Sequence, residues 1–138
     1  VTGVQTCALP ICIMRKGFGK KYPELVAKYL AVQMRAAEHY HQAPEEAAAV
    51  VAAEFSIAPD VVAKQMNGLI MLSGEEQQGP MYIGTPGNVG DLAKVLKDTA
   101  DFMVAQKIIP SAPELEHFRQ GVRPEFLERA IAIRKETE

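Results

Sequence analysis

The sequence has no tryptophan and only two cysteines, Cys7 and Cys12, both within its first twelve residues. No disulfide framework can be built from that pair elsewhere in the chain, and cysteine usage leaves the redox compartment unread. No apolar run approaches the ~18 residues that a membrane span requires, so membrane insertion is not expected. Neither sign of charge dominates: 15 Lys and Arg stand against 17 Asp and Glu, a formal net charge of -2. A nucleic-acid-binding domain is normally visibly basic, so nucleic acid is not an expected partner. What remains is ordinary for a soluble globular chain, with 48% hydrophobic and 23% charged residues. The 138 residues are one domain's worth and can bury a core.

The opening stretch, VTGVQTCALPICIM, sets the first boundary. Residues 1–14 hold no Lys or Arg, so the basic region of a secretory signal is missing. Ile11 is bulky where lipid attachment at Cys12 would want a small residue. Val1 to Ile11 instead resembles, without a gap, the in-frame translation of a common sequencing adapter. Residues 1–12 are therefore read as a non-native leader, with Cys12 a junction product. Native sequence is expected to start near Ile13, as a chain truncated at its N-terminus, and residues 13–138 are taken as one unit.

Helical periodicity dominates the chain beyond this boundary. A short strand-like stub at 12–14 precedes RKGFGKKYPE, where Gly17 and Gly19 are expected to break structure and Pro23 suits a first helical turn. Leu25, Tyr29, Val32, Ala36 and Tyr40 recur at spacings of four, three, four and four. The spacing predicts a helix that buries this stripe, widened by Val26, Leu30 and Ala37. Pro44, with Glu45 and Glu46 in the favourable first turn, opens a second helix with Ala48, Val51 and Phe55 inward. A third runs from Pro59 to Asn67-Gly68 and buries Val62 and Met66. Residues 69–90 lose the period and read as loop with a short helical turn near Glu75. Helix returns after Gly90, with Leu92, Val95, Leu96, Thr99, Phe102 and Met103 on one face and Lys94, Lys97, Asp98 and Asp101 outside. The segment PSAPEL reads as extended and turn-rich. A last helix starts at Pro124 with Phe126, Leu127, Ala130, Ile131 and Ile133 inward, and Arg134 to Glu138 form a frayed end. The expected architecture is mainly α, about five helices plus the strand stub. A strand without a sheet is what a truncated α/β domain looks like.

Candidate chemistry is sparse. His39 and His41 are two apart, hence about 200° apart around a helix, whereas a ligand pair on one helix face sits three or four apart. They read as solvated imidazoles favoured by the helix C-terminus, and His117 as a lone loop residue. Arg15, Lys16, Lys20 and Lys21 around Phe18 form a basic turn that lacks phosphate-loop spacing. The GTPG at 84–87 reads as a turn, leaving Tyr82 and Thr85 as weak ligand-contact candidates. Glu45-Glu46 and Glu75-Glu76 are neighbours in sequence and do not face each other across a cleft as acid/base pairs must. Neither a Ser-His-Asp nor a Cys-His arrangement can be argued. No catalytic residue, metal or cofactor is expected.

The segments MRKGFGKKYPELVAKYL, APEEAAAVVAAEFSIAPDVVAKQM and GDLAKVLKDTADFMVAQKII, in that order, resemble the C-terminal part of substrate-binding proteins of ABC importers. The branch they are most similar to is the taurine, aliphatic-sulfonate and nitrate group of the type 2 periplasmic binding fold. Arg15, Lys16, Phe18, Pro23 and Glu24 match one family pattern. Thr99, Ala100, Phe102, Gln106 and Ile108 match a second, with Met103 for Leu and Lys107 for Gly. Ala58 stands where the family often has a capping Ser or Thr, and Lys107 removes the usual left-handed terminator of its helix. The resemblance implies a two-lobed α/β protein of which this chain is well under half, periplasmic or membrane-tethered outside the cell. It implies capture of taurine or a similar small sulfonate or oxyanion between closing lobes, without catalysis, and docking on permease subunits. Ligand-binding residues are then expected mostly upstream of Ile13. Two other readings stay open: an enzyme or carrier of the thiamine-pyrimidine precursor with the same fold, and a free-standing helical interaction module.

Overall fold

The computed structural model describes residues 12–137, so the adapter-like stretch Val1 to Ile11 lies outside the described residues. The described chain is mainly helical: α1 (Lys16–Lys21), α2 (Pro23–Gln42), α3 (Pro44–Phe55), α4 (Pro59–Met66), α5 (Gly74–Gln77), α6 (Leu92–Ala105), α7 (Leu115–Gly121) and α8 (Pro124–Thr137). A two-residue hairpin, β1 (Gly84–Thr85) and β2 (Asn88–Val89), interrupts the long connection between α5 and α6.

Proline sets the rhythm of the first half. Pro23, Pro44 and Pro59 each occupy the start of a helix, where the missing N–H is no loss and the fixed φ is already helical. The expected strand stub at 12–14 is instead irregular, and the stretch expected to be broken by glycine is α1. Gly19 is tolerated there because it is a contact: a Cβ on it would lie 3.0 Å from Met14 Sδ and 3.3 Å from Phe126 Cζ. Its small size lets α8 approach, which offsets the ~1 kcal/mol that glycine costs within a helix.

Two small cores hold the described residues. In the first, Ala31 and Met34 of α2 meet Leu127, Ala130 and Ile131 of α8, with Leu30, Ile83 and Ile133 at the edge. Glu24 pairs with Arg129 at 3.0 Å and Glu38 with Arg134, so α2 and α8 run in roughly the same direction. Arg134 is thus part of a packed helix, not of a frayed end. In the second core, Ala47, Ala48 and Ala52 of α3 pack on Val62 and Met66 of α4. The Tyr40 hydroxyl donates to the Met66 carbonyl at 2.9 Å and ties α2 to this pair. Phe55, expected inside, is exposed, because α3 turns its alanines inward.

The largest correction concerns α2. Its buried residues are Val26, Ala27, Ala31 and Met34, while the stripe expected inside is out: Leu25, Tyr29 and Val32 are 55%, 50% and 57% exposed. The helix has two apolar faces, and the smaller side chains let α8 come close. On α6 the expected apolar face is split the same way. Leu92, Leu96 and Met103 are half-buried, whereas Val95, Thr99 and Phe102 face solvent. The segment before α8 holds a further helix, α7, which packs on α6 and carries His117.

Around the hairpin, Gly84 pairs with Val89 and Thr85 with Asn88 across a Pro86-Gly87 turn. Gly84 has φ +81, and a Cβ there would fall onto the Asn88 carbonyl and the Gly90 nitrogen, so only glycine fits.

Lys107 keeps the left-handed terminator that its side chain was expected to remove. Its φ is +58, its N–H donates to the Val104 carbonyl at 2.9 Å, and Ile108 N–H reaches back to the Met103 carbonyl at 2.9 Å. This is the paired bonding of a Schellman end, made with a lysine that bears the strain of the left-handed region. Lys107→Gly is therefore expected to strengthen the C-terminal end of α6 by about 1 kcal/mol. A peptide spanning residues 90–110 should gain helicity by circular dichroism, and an unchanged spectrum would count against the strain.

Candidate functional site

Tyr82 and Thr85 both lie at the hairpin. Tyr82 sits in the turn that enters β1, its ring 38% exposed, and its carbonyl accepts from Leu92 N–H at 3.0 Å to launch α6. Thr85 is exposed on β1, on the face opposite buried Gly84, as strand alternation requires. The hairpin is held by backbone bonds such as Gly90 N–H to the Ile83 carbonyl at 3.0 Å, and both Tyr82 and Thr85 are exposed.

The concave surfaces lie elsewhere. One, of 670 Å³, is lined by Asp60, Val61, Lys64, Gln65 and Gly68 on and just after α4. A neighbouring 220 Å³ hollow is lined by Tyr40, Pro44, Glu45, Ala63, Lys64 and Asn67. Lys64 borders both, and the Tyr40 hydroxyl in the second is already spent on the Met66 carbonyl. Among the described residues no polar or charged side chain is buried.

The histidines divide. His41 is not simply solvated: its Nε2 lies 2.7 Å from the Met71 carbonyl, so it carries the proton and donates, fastening the end of α2 to residues 69–72. His39 is exposed and turned away from it. No group of three His, Cys, Asp or Glu side chains among the described residues is placed to hold a metal ion. The basic residues Lys16, Lys20 and Lys21 are carried on α1 with Arg15 as its N-cap, the Lys21 ammonium lying 5.1 Å from the Tyr22 ring centroid.

Among the described residues, Glu76 and Lys94 depart from ordinary values, both through local bonds. Glu76 closes a capping box on α5: Ser73 N–H donates to its carboxylate at 2.8 Å, and Glu76 N–H donates to the Ser73 hydroxyl at 3.1 Å. The bond from the Ser73 N–H is the largest cause holding the Glu76 carboxyl below its usual 4.5, with the Ser73 hydroxyl next and His41 adding a smaller electrostatic pull. On α6, the hydrogen bond from Lys94 to Asp98, at 2.7 Å, raises the lysine. Its partner pair, Lys97 with Asp101, repeats the four-residue spacing one turn on.

Tyr40 to Met66, Arg134 to Glu38 and His41 to Met71 were not legible in the sequence, since each joins residues 26 to 96 positions apart with no local pattern. Comparison with protein-family models finds no match to this chain, and no curated protein or solved structure matches it significantly.

Because Glu76 is lowered on folding, its contribution to the α5 cap is full above pH 4.5 and is lost as pH falls through its folded value. A carbon-detected NMR titration should place the Glu76 midpoint below 4.5 in the wild type and move it upward in Ser73→Ala. A Ser73→Ala midpoint identical to wild type would remove the Ser73 hydroxyl as a cause and leave the bond from the Ser73 N–H.

Proposed function

We propose that this chain is the C-terminal part of a periplasmic substrate-binding protein that captures taurine or a similar small sulfonate or oxyanion for an ABC importer. The observation that carries the reading is the unpartnered apolar surface. Among the described residues, half of the buried hydrophobic residues are alanines, and no large side chain is fully buried. Meanwhile Leu25, Tyr29 and Val32 on α2, and Val95 and Phe102 on α6, stand in water. Each is already close to half buried, so full burial would add roughly half of the ~1.5–3 kcal/mol that a fully exposed apolar side chain gains. Under this reading the two helices line a lobe whose strands come from upstream polypeptide, and ligand contacts come mostly from there.

Among the described residues, no helix is long and apolar enough to cross a membrane. Under this reading the ligand is held between lobes, where closure and not covalent chemistry does the work. The same exposed faces also favour a second reading, a helical module that docks on a partner protein. Carriage or synthesis of a thiamine-pyrimidine precursor on the same fold is distinguished by the upstream residues alone.

Two measurements separate these readings. Residues 13–138 produced alone should melt without a cooperative transition and bind a hydrophobic dye; a sharp, monomeric, dye-free transition would overturn the incomplete-lobe reading. The protein made from the reading frame extended upstream of codon 13 should release or absorb heat on titration with taurine. Silence toward taurine, other sulfonates and nitrate would remove the capture function.

A further inference from the structure

The sequence holds two asparagines, Asn67 and Asn88, and the fold puts them in different settings. Asn67 is the C-cap of α4, with φ -60 and ψ -18, and Gly68 follows it. Both residues are exposed. The Gly68 N–H donates to the Gln65 carbonyl at 3.2 Å, the long end of the range for such bonds, and Leu69 N–H donates to the Met66 carbonyl at 2.9 Å. These two bonds hold the Asn67-Gly68 peptide in its helical setting. Bonds at an exposed helix end open locally at little cost, and the space beside the peptide is free: a Cβ added to Gly68 would meet only the Gln65 carbonyl oxygen, at 3.6 Å. Asn88 differs on both counts. It is paired with Thr85 in the hairpin, and the branched side chain of Val89 crowds the nitrogen that follows it.

We propose that Asn67-Gly68 is a modification site, at which Asn67 loses its side-chain amide spontaneously through a cyclic imide and becomes a mixture of aspartate and isoaspartate. Rotation about ψ of Asn67 swings the Gly68 nitrogen toward the side-chain amide carbon, and glycine leaves that nitrogen unobstructed because it has no Cβ. The nitrogen, its proton taken by hydroxide, bonds to Asn67 Cγ; the bond from Cγ to Nδ2 breaks, and ammonia leaves with a proton returned by water. Water then opens the ring at either carbonyl. The sum is one water consumed and one ammonia released, with no change of oxidation state. Opening at the main-chain carbonyl gives isoaspartate, which routes the main chain through one extra carbon. That carbon falls inside the turn that returns Leu69 N–H to the Met66 carbonyl, so the turn lengthens and its bond is lost. The same carbonyl accepts from the Tyr40 hydroxyl at 2.9 Å, which puts the change beside the tie between α2 and α4. Either product also adds a carboxylate at the C-terminal end of α4, where the helix dipole opposes it. The chemistry is independent of any ligand of the protein.

The test incubates the full chain at mildly alkaline pH and follows each asparagine by peptide mass spectrometry, with an isoaspartate-specific methyltransferase as the probe for the β-linked product. Asn67 should convert, with isoaspartate in excess, while Asn88 stays unchanged. Conversion should be no more than about a hundredfold slower than in the same chain unfolded in urea, the factor set by breaking two exposed hydrogen bonds. Gly68→Ala should suppress most of the conversion without altering the circular dichroism spectrum, because Gly68 has no left-handed φ and the added Cβ makes only ordinary contact. Conversion of Asn88 as fast as Asn67, an undiminished rate in Gly68→Ala, or reaction at Asn67 in urea alone overturns the proposal. Aspartate formed without isoaspartate shows direct hydrolysis and overturns the cyclic route.

Discussion

The close approach of α8 to α2 is the constraint on which the rest of the structure depends. It is made possible by small side chains. Ala27, Ala31 and Ala130 are buried where the helices meet, and Gly19 and Gly74 admit neighbours that a Cβ would displace. At Gly74 a Cβ would collide with Met34 Cε and lie 3.0 Å from Ile131 Cγ1, so the start of α5 sits directly on this core. Ile83 brings the hairpin onto the same spot, and the hairpin in turn launches α6 through Leu92. The order of dependence therefore runs from α2 and α8 to α5, then to the hairpin, then to α6 and α7.

A core assembled from alanine and glycine is geometrically definite and energetically thin. Hydrophobic stabilisation scales with apolar area removed from water, and an alanine removes little. Several bulky residues able to contribute more, Leu25, Tyr29 and Val32 on α2, Phe55 on α3, and Val95 and Phe102 on α6, are left exposed. The charges of α2 divide as well, since α8 engages its acids Glu24 and Glu38 while Lys28 and Arg35 are exposed.

The local chemistry of the helix ends shows how little tertiary support some elements require. Among the described residues four helices begin at proline, α5 is closed by the reciprocal bonds of Ser73 and Glu76, and α6 ends in a Schellman arrangement even with lysine at its left-handed position. The starts of α3 and α4 lack a side-chain cap, because alanine, Ala43 and Ala58, stands at each N-cap. In each case the bonding partners lie within a few residues of one another.

That locality is what the sequence by itself determined. Proline at the first turn, Asn67-Gly68 at the end of α4, the turn at Glu75 and the apolar periods of α2, α6 and α8 were legible, because they depend on neighbours three to five residues away. The glycines around Phe18 and the short α7 were misread, since in one case a distant Phe126 justifies the glycine and in the other the helix is held by packing on α6. The burial of α2 was only partly legible: Val26 and Leu30, expected to widen the inner face, are buried and half-buried, while the stripe at its centre is not. A helix apolar on two sides has the right period for either, and only the tertiary structure decided between them, by setting the small face of α2 against α8 and leaving Leu25, Tyr29 and Val32 uncovered. The candidate residues Tyr82 and Thr85 belong to the same case. A turn could be foreseen from Gly-Thr-Pro-Gly, but whether a turn stands in a cleft or in open water is fixed by the walls that other segments bring to it.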